Sequence, residues 1–252
     1  MTRTAVRRLA LALVAAPAVL ALAACGGDKT DGAAAAGAPI AKTAPPAGKA
    51  WSDVVSKTPE GGYVMGNPNA PIKLVEFASL TCSHCAEFAA ESFTELRDNF
   101  VASGRVSYEM RNFVRDGIDM AAAQLTRCGA PESYFALTEQ AFAYQEELFK
   151  KAQAAGDPAF QKALTQPADK RGMAVAELLG LPEYFAARGI SRDQATTCLA
   201  DTKSAEALAA QTQADAEKLK ITGTPTFIIN GEKQDANTWK VIKARLEGLG
   251  AR

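Results

Sequence analysis

The sequence predicts an α/β fold interrupted by a long all-helical insertion. Three observations predict it. The largely apolar run Ile72 to Ala78 leads almost directly into Cys82-Ser83-His84-Cys85 and then into an amphipathic stretch ending near Phe100; such a run feeding into helical periodicity reads as strand, then helix. From about Asp116 to Lys218 no strand pattern occurs, and Ala, Leu, Glu and Gln dominate. Thr226 to Asn230, a turn at Gly231, and Glu232 to Asp235 read as a hairpin, followed by an amphipathic helix over 236–249.

Taken in order, residues 1–24 read as a targeting segment. Arg3, Arg7 and Arg8 form a basic n-region, and Leu9 to Leu22 is a short apolar h-region interrupted by Pro17, too short for a comfortable membrane span. It ends in Leu22-Ala23-Ala24-Cys25-Gly26, which resembles the bacterial lipobox; in that motif the cysteine, here Cys25, is the lipidated first residue of the mature protein. Ordinary cleavage beside Ala23 or Ala24 is the alternative. Residues 25–50, rich in Gly, Ala, Pro, Asp and Lys without apolar periodicity, read as a disordered tether. A folded domain is expected over 51–252, starting near Trp51.

Tyr63 to Gly66 reads as a short strand before the turn Asn67-Pro68. Ile72 to Ala78 suits a central strand buried on both faces. The helix after it places Phe88, Ala89, Phe93, Leu96 and Phe100 inward, with Glu87, Glu91 and Glu95 on a solvated stripe. Arg105 to Val114 alternates like a strand. The insertion, about 116–218, is punctuated at Gly129-Ala130-Pro131, Gly156-Asp157-Pro158, Gly180-Leu181-Pro182 and Gly189. Its aromatics Tyr134, Phe135, Phe142, Tyr144 and Phe149 read as core. Ser191-Arg192-Asp193-Gln194 reads as a helix start before Cys198.

Chemistry concentrates at Cys82 and Cys85. Two cysteines with this spacing can close a small disulfide ring. A cysteine at the first turn of a helix meets unpaired backbone N–H groups and the positive end of the helix dipole. An unperturbed thiol, with pKa near 8.5, is only about 3% thiolate at pH 7, so a lowered pKa makes a ready nucleophile. The same spacing also forms half of a structural zinc site. A second ligand pair is wanting, because His84 is the only histidine and Cys128 and Cys198 stand singly, 70 positions apart. The sequence therefore predicts a redox pair, with no metal and no cofactor.

Val75-Glu76-Phe77, Ser79, Cys82, His84 and Cys85, with Gly223-Thr224-Pro225-Thr226-Phe227 far downstream, resemble the thioredoxin fold and, within it, the DsbA family of thiol:disulfide oxidoreductases. The resemblance spans roughly Tyr63 to Gly250 and implies a thioredoxin fold carrying an inserted helical domain. It implies Cys82 as the nucleophile, Cys85 as the resolving thiol, and Ser83 and His84 as residues that tune them. Ser83 stands where the family most often has Pro. It implies that Glu76 is a buried acid beneath the site, the alternative being a solvated strand end. It implies that Pro225 is cis, so that the backbone of Thr224 pairs with an extended substrate. Removing Cys25 leaves four cysteines and three possible connectivities. The ring Cys82–Cys85 then leaves Cys128–Cys198, matching the second disulfide of some DsbA-like proteins; two free buried thiols are the alternative.

The 252 residues carry 28 basic and 28 acidic side chains and are 48% hydrophobic. This permits a sizeable core, and no basic block suggests a nucleic-acid partner. The resemblance implies an extracytoplasmic monomer on the periplasmic side, held to a membrane by its lipid. Its substrates would be unfolded or reduced secreted proteins, to which it donates disulfides, and its reoxidant a quinone-linked membrane partner. A disulfide reductase or isomerase is the first alternative, left open by Ser83 and Thr224. A metal-binding or chaperone-like module is the second.

Overall fold

The computed structural model describes residues 37–252. The targeting segment, Cys25 and the first part of the expected tether lie outside the described residues.

Six strands form one mixed sheet: β1 (Val55–Lys57), β2 (Tyr63–Gly66), β3 (Ile72–Ala78), β4 (Val106–Asn112), β5 (Thr226–Ile229) and β6 (Glu232–Lys233), in the spatial order β1-β2-β4-β3-β5-β6. The predicted central strand is central: β3 pairs in parallel with β4 and antiparallel with β5. A parallel pair needs a crossover connection, which is helix α1 (Ser83–Glu95) extended by a π-helical turn at Leu96–Val101. Cys85, Phe88, Ser92, Phe93, Leu96 and Phe100 are buried along it at helical spacing. Phe88 meets Phe227 of β5 with ring centroids 4.4 Å apart, and Trp239 of the last helix edge-on at 6.0 Å.

The insertion comprises α2 (Gly117–Thr126), α3 (Tyr134–Ala143), α4 (Gln145–Leu164), α5 (Ala168–Leu178), α6 (Leu181–Ala186), α7 (Arg192–Ala200) and α8 (Thr202–Leu219). At Gly156 the backbone of α4 leaves helical geometry, with φ 74° and ψ 161°, just before Pro158. The Ser191/Gln194 capping box opens α7. Tyr134, Phe135 and Phe142 are core as expected, whereas Phe149 is 42% exposed. The final helix, α9 (Trp239–Gly248), begins three residues later than its apolar pattern suggests, after a loop ending at Thr238.

Two expectations need correction. Residues 37–50 are not free tether: this strand-free segment runs along the domain on main-chain bonds. Gly37 N–H donates to Gly248 O at 2.7 Å, Ile40 N–H to Gly250 O at 2.9 Å and Thr43 N–H to Ser103 O at 3.0 Å. The Trp51 indole donates to Thr43 O at 2.8 Å. The approach is close at Gly104 (φ 72°), where a Cβ would lie 2.7 Å from both Thr43 O and the indole nitrogen. Bonds from the backbone require no apolar periodicity, which is why composition misses them. Nor is Glu95 part of a solvated stripe: it accepts from the Trp239 indole at 2.9 Å and from Lys243 at 2.6 Å, fastening α1 to α9.

Candidate active site

Cys82 is the N-cap of α1, in extended conformation (φ −96°, ψ 119°), and its carbonyl accepts the N–H groups of Cys85 and Ala86, both at 3.1 Å. The turn Ser79-Leu80-Thr81 carries it there from the end of β3, with Cys82 N–H donating to Ser79 O at 3.1 Å. Cys82 retains 6% exposure and Cys85 none. Both are free thiols here.

Across from them the Thr224–Pro225 peptide is cis, at the entry to β5. The Cys82 thiol donates to Thr224 O at 3.2 Å, while the Thr224 hydroxyl is buried without a partner. Ionisation of Cys82 gives that hydroxyl an acceptor. A hydrogen bond from the Cys85 thiol is the largest influence on the Cys82 thiolate. Together with the Thr224 hydroxyl and the N–H groups of Cys85 and His84, it outweighs desolvation and lowers the pKa to about 5. Burial, the bond to Cys82 and the nearby Glu76 push Cys85 far upward. One sulfur is thus a thiolate at neutral pH and the other holds its proton.

Ser83 and His84 lie on the exposed first turn of α1. The His84 imidazole faces solvent 3.5 Å from Glu87, so it is the main-chain N–H of His84, not its ring, that reaches the thiolate. The resemblance implies His84 as a residue that tunes the pair, and its influence on Cys82 here comes from the main chain.

Glu76 sits beneath the pair at 2% exposure, on the face of β3 shared with Leu74 and turned toward the main core. Tyr108 of β4 donates its hydroxyl to Glu76 Oε2, and Oε1 has no partner. Burial raises the Glu76 pKa to about 7 against the Tyr108 bond, with the Cys82 charge adding to the rise. Between pH 4.5 and 7 the folded chain therefore holds on Glu76 a proton that the unfolded chain has lost, a contribution that lowers stability as pH rises, while Cys82, lowered to about 5, contributes in the opposite sense. Glu76→Gln should remove only the first contribution, so the variant should gain stability relative to the wild type as pH rises through that window, by about 3 kcal/mol at most. Urea midpoints of the reduced proteins, measured from pH 4.5 to 7.5, check it: curves for the two proteins that stay parallel would show Glu76 ionised throughout.

Four participants escaped sequence reasoning. Tyr108 was legible only as an inward position of an alternating strand. Asp119 and Arg115, at the start of α2, look like ordinary helix-start residues. Gln145 opens α4 with nothing to distinguish it from solvated glutamines, yet its amide donates to Leu80 O and Cys82 O, both at 3.0 Å. Far from this centre, the structure joins Cys128 to Cys198 with Cα atoms 5.8 Å apart.

A Thioredoxin family model matches residues 58–248. With the cysteine pair at a helix start and the helical insertion between β4 and β5, that match decides the family. The chain belongs to the thioredoxin family. The crystal structure of a protein-disulfide isomerase from Novosphingobium aromaticivorans is 34% identical, with a TM-score of 0.68, covering 74% of this chain and 97% of that one. Wolbachia pipientis alpha-DsbA1 shares the fold at 24% identity and a TM-score of 0.61, covering 74% and 89%. A Rickettsia bellii protein named as a candidate protein-disulfide oxidoreductase is 26% identical over 194 residues, 77% of this chain and 66% of that protein. The chain spans just under two thirds of that curated relative's length, and 56% of its Rickettsia felis counterpart. The dithiol geometry of this chain suits thiol:disulfide exchange.

Proposed function

We propose that this chain is a DsbA-like extracytoplasmic thiol:disulfide oxidoreductase that donates disulfides to reduced secreted proteins. The observation that carries the reading is the division of labour at the pair: Cys82 is lowered to about 5 while Cys85 is pushed up. A disulfide whose reduced form is stabilised by a thiolate is a strong oxidant. A substrate thiolate attacks Cys82 Sγ of the oxidised ring, forming a mixed disulfide, and Cys85 leaves and takes a proton. Glu76 beneath it is protonated over part of the neutral range and supplies one. A second substrate thiol, as its thiolate, then attacks the mixed disulfide and displaces Cys82 as thiolate. Two substrate thiols have become one disulfide, and two electrons rest on the enzyme's dithiol. Substrate backbone would pair with Thr224 beside the cis-Pro225 bond.

A membrane partner that passes electrons to quinone would reoxidise the pair, and a lipid on Cys25 would hold the protein to a membrane on the periplasmic side. No helix among the described residues is long and apolar enough to cross a membrane. The isomerase or reductase direction is the second reading, favoured by the name of the 34% identical Novosphingobium structure. Thiol trapping in cells separates the two: a disulfide donor should hold Cys82–Cys85 mostly oxidised at steady state, an isomerase or reductase mostly reduced. A pair found reduced in an otherwise wild-type cell would overturn the first reading. The metal-binding reading lacks a donor set, since among the described residues no three His, Cys, Asp or Glu side chains converge.

A further inference from the structure

The carboxylate of Asp119 is 1% exposed, and among the described residues it forms no salt bridge. Burying such a group is costly. Burial raises its pKa to about 6, against hydrogen bonds that favour the charge. Those bonds converge on the turn that presents Cys82. Asp119 Oδ2 accepts from the Ser79 hydroxyl at 2.6 Å and from Arg115 N–H at 3.1 Å, and Oδ1 accepts from Leu80 N–H at 2.9 Å.

Ser79 is a junction between this carboxylate and both sulfurs. Its carbonyl accepts the Cys82 N–H at 3.1 Å, its own N–H favours the charged form of the Cys85 sulfur, and its hydroxyl donates to Asp119 at 2.6 Å. Thr81 N–H donates to the Ser79 hydroxyl at 3.2 Å within the turn, and other groups of the turn are held from the insertion and the residue that leads into it. Arg115 donates to Thr81 O at 2.6 Å, and Gln145 takes the carbonyls of Leu80 and Cys82. An apolar residue at 119 would leave Leu80 N–H without an acceptor and the Ser79 hydroxyl with only Thr81 Oγ1, 3.1 Å away, to receive its proton.

We propose that Asp119 is a positioning residue for the thiol pair, acting through Ser79 to hold the main-chain groups that meet Cys82 and Cys85. The inference rests on Cys82 being the exchanging sulfur, and it predicts that loosening Ser79 moves the properties of that sulfur from a distance.

The test is the pKa of Cys82 in the reduced protein, read from thiolate absorbance and from the pH profile of iodoacetamide alkylation. Asp119→Asn keeps the shape but turns a donor toward either Ser79 or Leu80. Ser79→Ala removes only the hydroxyl. Each should raise the Cys82 pKa by about one unit, which is about a tenfold slower alkylation below the pKa. The double variant should move it no further than the larger single change, because both act on one link. Asp116→Ala, which removes the α2 cap bond to Asp119 N–H at 2.8 Å, should lower stability without moving the pKa. A folded Ser79→Ala protein with the wild-type profile would overturn the proposal even if Asp119→Asn fails to fold. Shifts in the two single variants that simply add would overturn the link. These titrations use no protein substrate, so a chain that proves inactive in disulfide exchange would sink the proposed function and leave this result standing.

Discussion

Cys82→Ser should reduce the oxidation of dithiol substrates to the uncatalysed background. Cys85→Ala should instead accumulate mixed disulfides, formed when the Cys82 thiolate attacks a substrate disulfide and expels one of its two sulfurs as thiolate. The asymmetry follows from the site: with a pKa of about 5, Cys82 is almost wholly thiolate at pH 7, whereas Cys85 is buried and held protonated. Without Cys85 no internal thiol can displace the bound substrate. Because the Cys85 thiol is the largest stabiliser of the Cys82 thiolate, the same variant should also carry a Cys82 pKa above that of the wild type. Non-reducing electrophoresis reads the trapped adducts, and alkylation against pH reads the shift. Appreciable oxidase activity in Cys82→Ser would end the proposed mechanism.

Replacing both Cys128 and Cys198 by Ala should cost about 4 kcal/mol in chain-entropy terms, for the 70-residue loop they close. For a chain of this size that is a fall in Tm of roughly 8–16 °C. The bridge ties the end of α2 to α7, where Gln124 also donates to the carbonyls of Cys198 and Asp201 at 3.0 and 3.3 Å. Thermal melts of the doubly substituted protein measure the loss; an unchanged Tm would mean that helix packing alone holds the two ends together.

How much of this was legible in the sequence depended on whether the signal was local. The central strand over Ile72–Ala78, the helix after Cys82 and the hairpin around Gly231 each carry their own periodicity or turn chemistry, and each stands where expected. Thr224-Pro225 was legible as a motif through its likeness to a family. Tyr108, Asp119 and Gln145 were not, because their importance comes from what the fold sets opposite them: a carboxyl, a serine turn and two carbonyls. Glu95 shows the same limit in reverse. Its helical spacing is that of a solvated stripe, and only the packing of α9 makes it a tertiary fastener. His84 was legible as a neighbour of the thiolate, but the direction of its ring depends on Glu87 and solvent.

The ordered strap over residues 37–50 changes what an anchor at Cys25 could do. It leaves the domain where Gly37 meets Gly248 and passes Ser103, beyond the C-terminal end of the α1 helix and its π turn. Cys82 lies at the other end of that helix, about 28 Å away for 19 residues at 1.5 Å each. The chain between Cys25 and Gly37 can reach about 40 Å at the very most. A lipid at Cys25 would therefore moor the molecule by its base. The cysteines would look outward, toward arriving polypeptides, and an electron acceptor embedded in the same bilayer would have to reach up and around to meet them.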